Sequence, residues 1–249
     1  MIRFAGRTFL VVLGLIACLP LHYLWRLARR PSPWPRRFLW WVGRSAGARV
    51  RVEGQPLASN VLFVANHMSW LDIMIIAGET GAAFVSKAEV RKWPVLGWLA
   101  SLNRTIFVER SARGAVRDQA DALRDALATG RPVGLFPEGT TEGGHEVLPF
   151  RASLLASLYP PLPGVRVQPV AIHFAPAARD VAWVGEEGAG DNARRVLSRR
   201  GTLPVTVRFL EPLDPAAFAD RKALAVQARL AILDARDALE ASAAPRPPL

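Results

Sequence analysis

The chain has 249 residues, 51% of them apolar, enough for one α/β domain with an appendage and too apolar for global disorder. Its single cysteine, Cys18, excludes an internal disulfide framework and a cysteine-based zinc site. A net charge of +11 points to an acidic partner: nucleic acid, anionic lipid or an acidic substrate.

Phe9 to Trp25 is a run of 17 residues without a charge. Spanning a bilayer takes about 20 apolar residues, with ~17 the low end. Arg3 and Arg7 precede the run, and Arg26, Arg29, Arg30, Arg36, Arg37 and Arg44 follow it before the first acidic residue, Glu53. No A-x-A site follows, which argues against a cleaved signal peptide. The run is read as an uncleaved anchor, spanning the bilayer or dipping into one leaflet and bending near Pro20. The larger arginine count behind it predicts an inner-membrane protein whose remaining chain stays on the cytoplasmic side. Residues 26–51 interleave arginine with Trp34, Phe38, Trp40 and Trp41, the composition of an interfacial segment. Nucleic-acid binding would not need the adjoining apolar run, and no zinc-finger, RNA-recognition or P-loop signature is present. Gly43-Arg-Ser45-Ala-Gly47 matches the G-x-S-x-G pattern of serine hydrolases, but it lacks a strand before it and a helix after it and is read as accidental.

From Val61 onward, apolar runs alternate with helical periodicity. Strands are expected at 61–65, 82–86, 105–109, 132–136, 165–173 and 204–210. Helices are expected at 70–79, 93–102, 112–128, 152–158, 190–199 and 215–240. Alternation of this kind predicts an α/β fold: a mostly parallel sheet flanked by helices, preceded by the N-terminal membrane-associated helical segment. The expected division is an anchor and basic-aromatic segment at 1–50, a catalytic domain at 51–242 and a flexible tail at 243–249.

Polar clusters fall at the ends of the predicted strands, where open α/β sheets place their ligands. The first is Asn66-His67-Met-Ser69-Trp-Leu-Asp72. In one continuous helix the spacing of five would set His67 and Asp72 about 140° apart. They can meet only if His67 lies in the turn before the helix and Asp72 in its first turns. An imidazole held by a carboxylate is then a general base of fixed tautomer; the alternative is a capping histidine beside a surface aspartate. The second cluster is Phe136-Pro-Glu138-Gly139-Thr140-Thr141, a tight bend whose glycine lets a ligand approach the backbone. Alone it is a turn. The third joins Lys87 to Arg110, after the strand Thr105 to Val108; Arg110 is suited to clamping a phosphate, or it is a solvated arginine beside Glu109.

These blocks, in this order, resemble the glycerolipid acyltransferase family, whose best-known members make phosphatidic acid from 1-acylglycerol-3-phosphate. The family's N-H-x4-D matches Asn66, His67 and Asp72, and its F-P-E-G-T matches Phe136 to Thr140. Its intervening block matches Lys87, Pro94, Gly97 and the strand ending at Arg110, and its last block matches Val167 to Ile172. The resemblance covers roughly residues 60–175. Two departures stand out: Thr141 where many members carry arginine, and Phe150-Arg-Ala-Ser153 where Phe-Lys-x-Gly is common. With Leu148-Pro-Phe-Arg-Ala-Ser, the F-P-E-G-T-T run also looks like the branch that acylates lyso-ornithine lipid, an acceptor with an amino-acid headgroup and no phosphate.

The resemblance implies acyl transfer from a thioester, acyl-CoA or acyl carrier protein, to a lysolipid hydroxyl. The first expectation for the acceptor is 1-acyl-sn-glycerol-3-phosphate, with lyso-ornithine lipid as the alternative. His67 would be the base and Asp72 its partner. Asn66, Lys87, Arg110, Glu138, Gly139 and Thr140 would bind substrate. No metal and no cofactor are expected, and His22, His145 and His173 lie in separate blocks. Partners would be membrane lipids and the two substrates, with no nucleic acid. A membrane-bound lipid esterase or thioesterase is the distant alternative, and a tethered binding protein is the non-enzyme rival.

Overall fold

The computed structural model describes residues 1–108, 115–144, 146–174 and 176–243. Seven strands form one sheet in the order β1-β7-β6-β2-β5-β3-β4. They are β1 (Ala48–Glu53), β2 (Val61–Ala65), β3 (Ala83–Lys87), β4 (Ile106–Val108), β5 (Val133–Leu135), β6 (Arg166–His173) and β7 (Leu203–Phe209). All neighbouring pairs are parallel except β6 and β7. The carboxyl ends of β6, β2, β5, β3 and β4 therefore lie along one edge.

β2 sits in the middle, buried at all five positions, as its uninterrupted apolar run requires. Its residues alternate between two cores. Val61, Phe63 and Ala65 pack under α2 (Trp34–Ser45), α3 (Trp70–Thr80) and the later helices α7 (Ala178–Val181) and α8 (Ala189–Ser198). Leu62 and Val64 pack under α6 (Ala115–Ala128), the 3-10 segment Ala152–Leu158 and α9 (Arg221–Ala243). The short helices α4 (Ala88–Arg91) and α5 (Leu96–Leu102) connect β3 to β4.

The region before Glu53 differs from its sequence reading. Ala48–Glu53, taken as the end of an interfacial segment, is a strand paired with β7 from Ala48↔Leu203 to Glu53↔Arg208. The position expected to divide anchor from domain thus falls inside β1. Its alternation of arginine and valine buries little on either face, which suits an edge strand. Ser45 is the last residue of α2, so the G-x-S-x-G match is no nucleophile elbow.

α1 runs unbroken from Ile2 to Leu27 with Pro20 inside it, and by length and composition it is able to cross a membrane. It is nevertheless tied to the rest of the fold at three places. Near its start, Arg7 donates to the carbonyls of Val196 (3.1 Å) and Gly201 (2.8 Å). In the middle the Trp41 indole donates to Leu10 O (2.7 Å), over Gly14, where any Cβ would collide with that indole. Near its end, His22 Nδ1 meets the Ser32 hydroxyl at 2.8 Å.

Candidate active site

The turn from β2 into α3 carries the first polar cluster. Ser69 is the N-cap of α3: its hydroxyl accepts from Leu71 N, and the Asp72 carboxylate returns to the Ser69 amide, forming a capping box. Capping alone would fix the position of Asp72. The carboxylate does more than cap. Its Oδ2 accepts from Met68 N (2.7 Å), Ser69 N (2.8 Å) and His67 Nδ1 (2.9 Å), and the side chain is fully buried. A carboxylate only accepts, so Nδ1 carries the proton and Nε2 presents its lone pair. His67 stays partly open to solvent and its Nε2 has no partner among the described residues.

Phe136 fixes the plane of the ring. It stacks on His67 with centroids 3.8 Å apart and planes 6° apart, and Phe84 stacks behind it at 5.1 Å. Asp72 sets the ring's rotation and Phe136 its tilt.

Asn66 and Glu138, expected on the substrate, are turned to the backbone. Asn66 Oδ1 accepts from Ile172 N (2.8 Å) and its Nδ2 donates to Ile172 O (3.0 Å), adding a rung between β2 and β6 where the strands part. Glu138 accepts from His67 N (2.8 Å) on one oxygen and from Leu148 N (3.0 Å) on the other. The Pro-Glu-Gly turn thus holds the backbone of the base itself. Burial pushes the Glu138 carboxyl up to about 7; the donors Leu148 N and His67 N oppose this, and the charges of Asp72 and Glu142 add to it. Burial outweighs the donors here because the group is almost wholly shielded from water.

Gly139 has φ +74°, and a Cβ there would lie 3.1 Å from the guanidinium carbon of Arg151. Arg151 is exposed, pairs with no carboxylate among the described residues, and anchors its own amide on Pro137 O (2.9 Å). It brings a cation to the turn that lacks arginine at Thr141, whose hydroxyl is bound to Trp183 O. Thr140 is exposed beside Gly139. Lys87 is the last residue of β3, on the same sheet edge, and its side chain is not among the described groups. Arg110 and His145 lie outside the described residues.

Sequence reasoning missed three contributors. Phe136 counted only as part of a motif, although an aromatic at a strand end beside a histidine is a signal of stacking. Arg229 and Arg236 on α9 hold the loop that leads to Leu148, through Val147 O (2.6 Å) and Gly144 O (2.7 Å). Nothing local in the sequence marks that pairing.

Behind the ring stack lies a cavity of about 300 Å³. Phe84, Trp70 and Ile73 line it together with residues of α1 and α2. The lining is almost entirely apolar, with Cys18, His22, Ser86, Asn103 and Thr105 as its polar exceptions.

A histidine held in one tautomer by a buried carboxylate, at the carboxyl edge of an α/β sheet with an apolar hollow nearby, is the arrangement that general-base chemistry on an apolar substrate requires. The comparisons make this specific. A family model described as Acyltransferase matches residues 49–173, half of the chain. The lyso-ornithine lipid O-acyltransferase of Brucella abortus is 37% identical over 88% of this chain and 90% of its own. That of Pseudomonas aeruginosa is 39% identical over 83% and 79%. The 1-acyl-sn-glycerol-3-phosphate acyltransferase of Neisseria gonorrhoeae is 32% identical over 67% and 65%. The crystal structure of the 1-acyl-sn-glycerophosphate acyltransferase PlsC from Thermotoga maritima matches in fold, with a TM-score of 0.63 at 24% identity, covering 96% of this chain and 98% of that one. The chain belongs to the acyltransferase family.

Proposed function

We propose that this acyltransferase moves a fatty acyl group from a thioester, acyl-CoA or acyl carrier protein, to the hydroxyl of lyso-ornithine lipid, at the cytoplasmic face of the inner membrane. One observation carries the chemistry: His67 Nε2 has no partner among the described residues, while Nδ1 is locked on a carboxylate 2.9 Å away. A hydroxyl attacks a thioester well only as its proton leaves. Nε2 takes that proton, Asp72 steadies the imidazolium, and the proton then passes to the departing thiolate. The acyl chain lies in the cavity, one wall of which is Phe84, the last ring of the His67–Phe136–Phe84 stack. Lys87 remains the residue we assign to the oxyanion, from its place at the end of β3.

The choice of acceptor follows from the relatives. The lyso-ornithine enzymes match along nearly the full chain and the phosphate-acceptor enzyme along two thirds. Thr141 in place of arginine removes a phosphate ligand, and Arg151, the cation beside Gly139 among the described residues, suits the carboxylate of an amino-acid headgroup. Arg110 is proposed to flank the same headgroup, with Gly139 and Thr140 beneath it.

The test offers the purified full-length protein lyso-ornithine lipid and lysophosphatidate side by side with a labelled acyl thioester. Diacylated ornithine lipid is the expected product, and Arg151→Ala raises the KM for it severalfold without changing the KM for the thioester. Phosphatidic acid as the sole product replaces the acceptor. Free fatty acid with neither acceptor consumed would establish a hydrolase.

A further inference from the structure

The corner between α4 and α5 has features that acyl transfer at His67 does not use. Trp93 is 41% exposed, Val95 58%, Leu96 54% and Trp98 40%. Four large apolar side chains within six residues form a patch of the kind that marks a protein or membrane contact. Val95 is β-branched yet holds φ +64°, a conformation that carries strain and is retained where the surroundings demand it. Here it sets the tip of the corner outward.

The patch continues a second apolar surface. Trp93 and Leu96 line the cavity and are exposed at the same time, so the cavity opens between them. Its other bank is α1. Val11, Leu15 and Leu19 face the cavity, and the far side of the same helix, including Phe9 and Ile16, is exposed. Corner and helix therefore stand on either side of one opening, both greasy outward.

Charge identifies what covers them. Arg91 and Lys92 precede the corner and Arg104 follows it, all exposed. Arg26, Arg29 and Arg30 close α1, also exposed. Between Thr80 and Arg104 the chain has one carboxylate, Glu89, and before Glu53 it has none. Tryptophan at the level of the headgroups with arginine and lysine beside it is how a protein sits in an anionic leaflet.

We infer that the Trp93–Trp98 corner is a second membrane-inserting element, seated in an anionic bilayer beside α1, so that the cavity opens sideways into the acyl-chain region and chains enter from the membrane rather than from water. The relevant partner is a lipid surface carrying anionic headgroups.

The test uses the full chain with Cys18→Ser and one new cysteine, Trp98→Cys, labelled with an environment-sensitive fluorophore. Ile16→Cys on α1 and Val226→Cys on the exposed face of α9 serve as references. Vesicles contain phosphatidylcholine and phosphatidylglycerol with a quencher at a shallow acyl position. The label at 98 is expected to shift to the blue and be quenched as strongly as that at 16, while that at 226 does neither. If the label at 98 behaves like that at 226 while 16 is quenched, the inference is overturned. A response at 98 that needs protein–protein contact in lipid-free micelles, or an added acidic carrier protein, overturns it as well. Labelling needs no acyl transfer, so its outcome stands apart from the proposed reaction. As a second reading, Val95→Asn with Trp98→Ser is expected to slow transfer to an acceptor embedded in vesicles severalfold and to leave transfer to a micellar acceptor unchanged. Equal loss in both settings would assign the corner to the fold instead.

Discussion

At the carboxyl edge of the sheet, polar side chains are pinned by hydrogen bonds to backbone; the lining of the cavity is almost entirely apolar and is held mainly by packing. Asp72 Oδ2 takes three donors, Glu138 two backbone amides and Asn66 both groups of Ile172. The 26-residue α1, which walls the cavity, is tied by polar contacts from Arg7, to Trp41 and through His22. The contrast follows from what each region handles. Bond-making atoms must be placed within a fraction of an ångström, and a misplaced base loses orders of magnitude in rate. A hydrocarbon chain needs only a dry volume of suitable size, which apolar packing supplies without directional bonds.

The sharpest way to break this division is His67→Ala. Transfer should fall by about 10²–10⁴-fold, the usual worth of a general base. Circular dichroism and vesicle flotation should be unchanged, because no backbone bond depends on the imidazole. A rate near wild type would remove His67 from the chemistry. Next in size is a pH effect on stability. Glu138 ordinarily titrates near 4.5 and is raised to about 7 in the fold. Between those values the folded protein keeps a proton that the unfolded chain has released. Its contribution to stability is therefore whole at low pH, declines as pH rises from about 4.5 to about 7, and is flat above that. The loss is on the order of 3 kcal/mol at about 1.4 kcal/mol per pH unit. Unfolding in micelles at pH 5 and pH 8 should show it, and Glu138→Gln should lack it; an equal slope in the variant would place the effect elsewhere.

The cavity side is probed by Leu19→Trp, which fills part of the hollow. Each displaced methylene forfeits about 0.8 kcal/mol, so losing two or three lowers long-chain transfer by roughly tenfold or more. A short-chain thioester should be transferred as before. Equal loss for both chains would show that the hollow does not hold the donor's tail. The smallest effect is that of Phe136→Leu. Losing an aromatic contact worth ~0.5–1.5 kcal/mol should reduce kcat about 2–10-fold with KM held. A change confined to KM would make Phe136 a substrate contact rather than a support for the ring.

The same contrast explains what the sequence revealed. The His67–Asp72 pair was legible because Ser69, Asp72 and the apolar run before them are local signals: a strand, a cap and a helix start within a dozen residues. β2 and β5 announced themselves by unbroken apolar runs, and β6 by its Pro-Val-Ala-Ile stretch. β1 did not, since its valines alternate with arginines and its partner β7 lies some 150 residues away. The turning of Asn66 and Glu138 toward backbone was equally hidden, because Ile172 and Leu148 come from other loops and strands. A motif shows that a residue matters and not which way it points. α1 read as an anchor from its length and lack of charge; that one side of it lines a cavity shows only once α2 is folded against it.

That double duty has a practical consequence. Trimming hydrophobic leaders is a common route to a tractable protein, and here it would unroof the enzyme. With residues 1–27 removed, the hollow becomes an open trough and Trp41 loses both Gly14 and the Leu10 carbonyl. A shortened version that stays in solution would be a misleading one: it would keep the His67–Asp72 pair yet lack the apolar wall that α1 supplies.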